Sequence, residues 1–199
     1  MAKAYVFDIG GVLIGLDLKA CIQAFKDNLG FGRITELLDP CHQKGIYGDL
    51  EAGKLSADDF RAQILAESRP GSRPEDVDRS MYALLTTMDP RTVAAVKALQ
   101  GKKYPLYLLS NNNPISMVRC RAILAENGLG DAFKAEFISA DMKLMKPSAA
   151  FYEEVVRQIG LPAGEIVFLD DSPANVEGAK AVGLDARLYQ PGTDINAVL

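Results

Sequence analysis

The chain has 199 residues, 48% of them hydrophobic, enough for one substantial core plus a small inserted unit and too apolar for a disordered chain. Its 22 Lys and Arg against 26 Asp and Glu give a net charge of −4 without any basic run, so neither nucleic acid nor an anionic membrane surface is an expected partner. Cys21, Cys41 and Cys120 are odd in number and lack CxxC spacing, which argues against a disulfide framework or a zinc site. No apolar stretch approaches the roughly 18–20 residues that span a bilayer, and Asp8 comes too early for a secretory segment, so a reducing cytoplasm is the expected compartment.

In chain order, the apolar residues 4–7 predict a first buried strand, ending at Asp8, Gly10 and Gly11. Asp17 then caps a helix with Leu18, Cys21, Ile22, Phe25 and Leu29 at helical spacing, and Gly30 stops it. A short segment at 34–38 follows, and 45–53 reads as a loop because of its glycines. Ser56 and Asp59 make a capping-box start for a helix through Phe60, Ile64 and Leu65. Pro70, Gly71 and Pro74 precede another helix containing Val77, Met81 and Leu84. Residues 18–86 therefore predict an all-helical cap, inserted into a core formed by 1–17 and 87–199.

Pro90 opens a helix carrying Val93, Val96 and Leu99 back to that core. Three strand and helix pairs come next, at 106–110 with 114–126, 135–139 with 149–159, and 166–169 with 173–182, before a last strand at 186–189. Strands alternating with helices of this length predict an α/β fold, a doubly wound parallel sheet with helices on both faces.

Chemistry-bearing residues stand at the ends of those strands, where ligands bind in an open α/β sheet. Asp8 is a candidate nucleophile, since an ionised carboxylate can attack phosphorus or carbon; alone, an Asp in this place is more often a turn former or helix cap. Ser110 offers a hydroxyl beside Asn111, Asn112 and Asn113; alone, it fits a polar strand end. Lys146 precedes Pro147, and Asp170 with Asp171 either binds a cation or opens the helix at Ser172 and Pro173. The four segments occur together and in order.

That combination resembles the haloacid dehalogenase superfamily of phosphohydrolases, over most of the chain. The resemblance implies a Rossmann-like core with strand order 5-4-1-2-3 and places Asp8 at the nucleophile. It puts Ser110, with backbone amides around Gly10, Gly11 and Asn111, at the phosphate, and Lys146 against both Asp8 and phosphate. It implies Mg²⁺ held by Asp8, the carbonyl of Gly10 and Asp171, with Asp170 acting through water and Asn175 orienting the acidic pair.

The implied activity is a phosphatase that hydrolyses a small phosphorylated metabolite through an aspartyl-phosphate. Gly10 stands where most members carry a second Asp that protonates the leaving group. A subgroup similar to phosphatases of glucose 1-phosphate shares this FDxGxV form. Without that acid, leaving groups of low pKa are favoured, and His42 of the cap is one candidate replacement. The alternatives are a metal-independent haloacid dehalogenase, which attacks carbon with the same Asp, and a non-catalytic binding protein on the same fold.

Overall fold

The computed structural model describes residues 2–38 and 44–199. Five strands, β1 (Ala4–Phe7), β2 (Leu106–Ser110), β3 (Ala135–Ile138), β4 (Ile166–Asp170) and β5 (Asp185–Leu188), form one sheet in the order β3-β2-β1-β4-β5. Every neighbouring pair is parallel. This is the doubly wound arrangement, with β1 central and the chain reversing direction across the sheet beside it.

A central strand in such a sheet has no solvent face, and all four residues of β1 are buried. Tyr5 and Phe7 enter one apolar layer, and Ala4 and Val6 enter the other. The first layer is completed by α6 (Pro90–Gly101) and α7 (Pro114–Glu126), through Val96, Leu99, Met117 and Ile123. The second is completed by α9 (Ala149–Ile159) and α10 (Pro173–Ala181), through Phe151, Tyr152, Val155 and Val176. Register then sets the site: Phe7 pairs with Leu108 on one side and Leu169 on the other. Asp8 therefore stands level with Asp170 and one residue short of Ser110.

Between β1 and α6 lie α1 (Leu18–Leu29), α2 (Ile34–Leu37), α3 (Gly45–Glu51), α4 (Ala57–Ala66) and α5 (Pro74–Tyr82). They build a third apolar cluster of their own, with Phe25, Tyr47, Phe60, Ile64 and Met81 at its centre. Burying each such side chain is worth about 1.5–3 kcal/mol. The cluster meets the core helices through Ile115 of α7. The two chain segments joining these helices to the sheet run side by side. Asp17 N–H donates to the Leu84 carbonyl at 2.8 Å, and Thr86 N–H donates to that of Gly15 at 2.8 Å.

Three local expectations differ. Residues 45–53 are not a loop, since α3 occupies Gly45–Glu51 and buries Tyr47 and Leu50, a three-residue spacing that the glycines obscured. Ser139 opens a one-turn helix, α8 (Ser139–Met142), rather than ending β3, and α5 stops at Tyr82, short of Leu84. His42 and Cys41 lie outside the described residues.

Candidate active site

The loop after β1 turns on itself. Ile14 N–H and Leu13 N–H both donate to the Ile9 carbonyl, and Gly11 N–H donates to the Ile14 carbonyl at 2.9 Å. The Gly11 amide is thereby occupied, which corrects the expectation that it points at phosphate. Gly11 serves another purpose. Its φ is +77°, and a Cβ there would lie 2.1 Å from Asp171 Oδ2, so only glycine lets the acidic loop close on the nucleophile loop. The N–H groups of Gly10 and Asn111 have no partner among the described residues and remain as donors.

The run after β2 divides its work. Ser110 is buried and lines the same cavity as Asp8, whose carboxylate it favours in the ionised form. Asn111 holds the lysine loop by two bonds, its Oδ1 accepting from Lys146 N–H and its Nδ2 donating to the Lys146 carbonyl, each at 2.9 Å. Asn113 caps α7, accepting from Ser116 N–H at 2.9 Å.

That clasp carries the Lys146 side chain into the sheet edge, where its ammonium lies 3.0 Å from Asp8 Oδ1, 2.6 Å from Asp170 Oδ2 and 3.1 Å from the Leu109 carbonyl. Burial opposes its charge, but Asp8 and Asp170 outweigh burial and raise its pKa. Asp170, completely buried, also accepts from Ser172 N–H at 2.8 Å and from Asn175 Nδ2 at 3.0 Å. Its oxygens are thus committed to the protein, and Asn175 orients this member of the acidic pair. Asp171, half-buried, has no side-chain partner among the described residues.

Carboxylate oxygens of Asp8, Asp170 and Asp171 lie within 4.8 Å of one another, against one ammonium. Burial and neighbouring charge raise the Asp8 pKa to about 7, despite Lys146. The same two causes raise that of Asp171. An oxygen-only donor set with excess negative charge suits a hard divalent cation such as Mg²⁺, and the close approach of Asp171 to Gly11 gives the set its shape.

Over this edge lies a cavity of about 300 Å³, lined by Asp8, Gly10, Ser110, Asn111, Lys146 and Asp171 from the sheet side and by Leu16, Leu84 and Leu85 from the linking segments. Tyr47 and Glu51 of α3 complete it. These two were absent from the sequence reading. Four residues apart, they share one helix face, a signal visible only once 45–51 is read as helix. The Tyr47 hydroxyl is buried without a hydrogen-bond partner, and burial, with the charge of Glu51, pushes its pKa well up. Glu51 is pushed up to about 8 by burial and by Asp8.

A parallel α/β sheet presenting a buried aspartate, a buried lysine and an acidic pair at its carboxyl edge has the layout of a hydrolase site on an α/β fold. The family profile of haloacid dehalogenase-like hydrolases matches residues 2–183, and the chain belongs to that family. It is 31% identical, over 98% of its length and 95% of the relative's, to D-ribitol-5-phosphate phosphatase of Bacteroides thetaiotaomicron. A sesquiterpene phosphatase of Aspergillus oryzae is 30% identical over 92% of this chain and 87% of its own. Among solved structures, a family enzyme of Bacteroides thetaiotaomicron in complex with magnesium and inorganic phosphate superimposes with TM-score 0.88 at 27% identity, covering all of both chains. The L-2-haloacid dehalogenase of Xanthobacter autotrophicus shares the fold, with TM-score 0.65 at 22% identity, over 94% of this chain and 76% of its own.

Proposed function

We propose that the chain is a Mg²⁺-dependent phosphatase of small phosphorylated metabolites, of the sugar or polyol phosphate class, working through an aspartyl-phosphate at Asp8. The observation that carries this reading is the crowding of Asp8, Asp170 and Asp171 around one ammonium, an imbalance that a cation relieves and that a metal-independent dehalogenase has no use for. Asp8, the Gly10 carbonyl and Asp171 would hold the cation, which when bound neutralises Asp8 and the phosphate against each other.

This chain's residues do the rest. Lys146 keeps Asp8 oriented and sets positive charge where negative charge grows on the transferring phosphoryl group. Ser110 and the free amides of Gly10 and Asn111 donate to its oxygens, while Asp170 and Asn175 keep Lys146 in place. The cavity admits a small ligand, and its mixture of Tyr47 and Glu51 with Leu16, Leu84 and Leu85 suits a hydroxylated carbon chain. The helices of residues 18–86 act as the specificity cap. No described helix is long and apolar enough to cross a membrane, and the buried free thiols of Cys21 and Cys120 suit a reducing cytoplasm.

The test is phosphate release from a panel of sugar, polyol and aryl phosphates, with 2-haloacids alongside. Hydrolysis of phosphates that stops with EDTA and returns with Mg²⁺ is expected. Halide release unaffected by EDTA would establish the dehalogenase instead.

A further inference from the structure

Gly10 leaves the leaving-group oxygen without a carboxylate on the nucleophile loop, yet nothing in its backbone demands glycine. Its φ lies outside the left-handed region, and a Cβ would meet only the flexible end of Leu16, at 3.2 Å. A proton donor would then have to come from a different element. The titratable side chains lining the cavity are Asp8, Tyr47, Glu51, Lys146 and Asp171. Asp8 is the attacking group, Asp171 a cation ligand, and Lys146 is locked between two carboxylates and a carbonyl. Tyr47 is too weak an acid where it sits.

We propose that Glu51, the last residue of α3, is the catalytic acid and base for the leaving oxygen and the attacking water, an assignment that rests on the phosphatase reading. Its carboxyl group has no hydrogen-bond or ion-pair partner among the described residues, so it is free to meet a ligand. Its backbone, by contrast, is pinned to the sheet edge. Ser139 Oγ, beyond the end of β3, donates to the Glu51 carbonyl at 2.6 Å, and Gly53 packs directly on the Ala140 carbonyl. The position also favours the protonated form. Burial, the largest cause, raises its pKa, and the carbonyl end of α3 adds to the preference.

In the first step an Asp8 oxygen bonds to phosphorus as the ester bond breaks, and the Glu51 proton passes to the departing oxygen, releasing an alcohol. In the second, Glu51 carboxylate takes a proton from water as the water oxygen bonds to phosphorus and the bond to Asp8 breaks. Phosphate leaves and Glu51 is protonated again. The donor matters most for a primary alkyl ester, the bond type in D-ribitol 5-phosphate, named for the relative of 31% identity.

The test is Glu51→Gln, a change that keeps side-chain volume, with folding checked by circular dichroism. With a primary polyol phosphate, kcat/KM is expected to fall on the order of 100-fold or more. With p-nitrophenyl phosphate, whose leaving group needs no proton, kcat/KM is expected to hold within a few-fold, while turnover becomes a burst followed by slow hydrolysis of accumulated phosphoenzyme. Equal losses of kcat/KM on both esters, or none on either, would overturn the Glu51 assignment while leaving the phosphatase reading intact. Wild-type enzyme that releases phosphate from no ester would overturn both.

Discussion

At the scale of single residues, the reactive groups were legible because Asp8, Ser110, Asp170 and Asp171 stand at strand ends and Lys146 follows a strand across a short polar stretch; all reach one edge. What they do to one another was not legible. That Asn111 clasps Lys146 by its side chain, or that Gly11 makes room for Asp171 instead of offering its amide, follows from contacts across 35 and 160 residues, which local pattern does not encode. The same contacts set a pH dependence. Asp8 and Glu51 hold their protons up to about 7 and about 8, whereas the unfolded chain releases them in the usual carboxylate range. Across that window the folded state binds more protons than the unfolded one, so stability is fully present below the ordinary carboxylate pKa and is lost as pH rises through the folded values. Without metal, Tm is expected to fall between about pH 5 and about pH 8.5, by about 2–4 °C for each kcal/mol lost. Mg²⁺, which binds the ionised carboxylates, is expected to raise Tm more at the upper pH. Thermal unfolding at both pH values, with and without Mg²⁺, checks this; a Tm that rises with pH in the absence of metal would contradict it.

At the scale of elements, α1 and α4 were readable from caps and spacing, because Asp17 and Ser56 each accept from an amide of the first turn as their positions suggest. α3 was hidden. Gly45 and Gly48 weaken its intrinsic propensity, and it exists because Tyr47 and Leu50 fill the apolar cluster of the inserted helices. With α3 went Glu51 and Tyr47, so the largest omission in the site followed from one misread element. The approach of that element to the sheet is narrow. Gly53 has φ of +66°, and a Cβ there would lie 2.1 Å from the Ala140 carbonyl. Gly53→Ala is expected to lift the end of α3 away and to reduce kcat/KM for a polyol phosphate roughly 10-fold or more, as a misplaced catalytic group does. The aryl ester is expected to lose much less. Parallel kinetics on the two esters measure this, and an equal loss on both would show that Gly53 supports folding alone.

At the scale of the whole molecule, the alternation of strands and helices carried the parallel, doubly wound class, since crossovers are right-handed, while the order, β3-β2-β1-β4-β5, is the one that the family resemblance implied. Strand boundaries moved by a residue, as with β5 at Asp185–Leu188, without changing the register that sets Asp8 beside Asp170. The inserted helices cover the carboxyl edge of the sheet, and the hydrogen-bonded linking segments tie them to it beside the nucleophile loop. Sheet, insert and linkers converge on Asp8, and the central claim is that Asp8 carries the phosphoryl group. Acid-quenched enzyme taken during turnover with Mg²⁺ and p-nitrophenyl phosphate, digested and read by mass spectrometry, tests that claim most directly. A phosphoryl adduct on the peptide containing Asp8, enriched in Glu51→Gln and absent from Asp8→Asn, is the expected result; full turnover by a folded Asp8→Asn protein would contradict it.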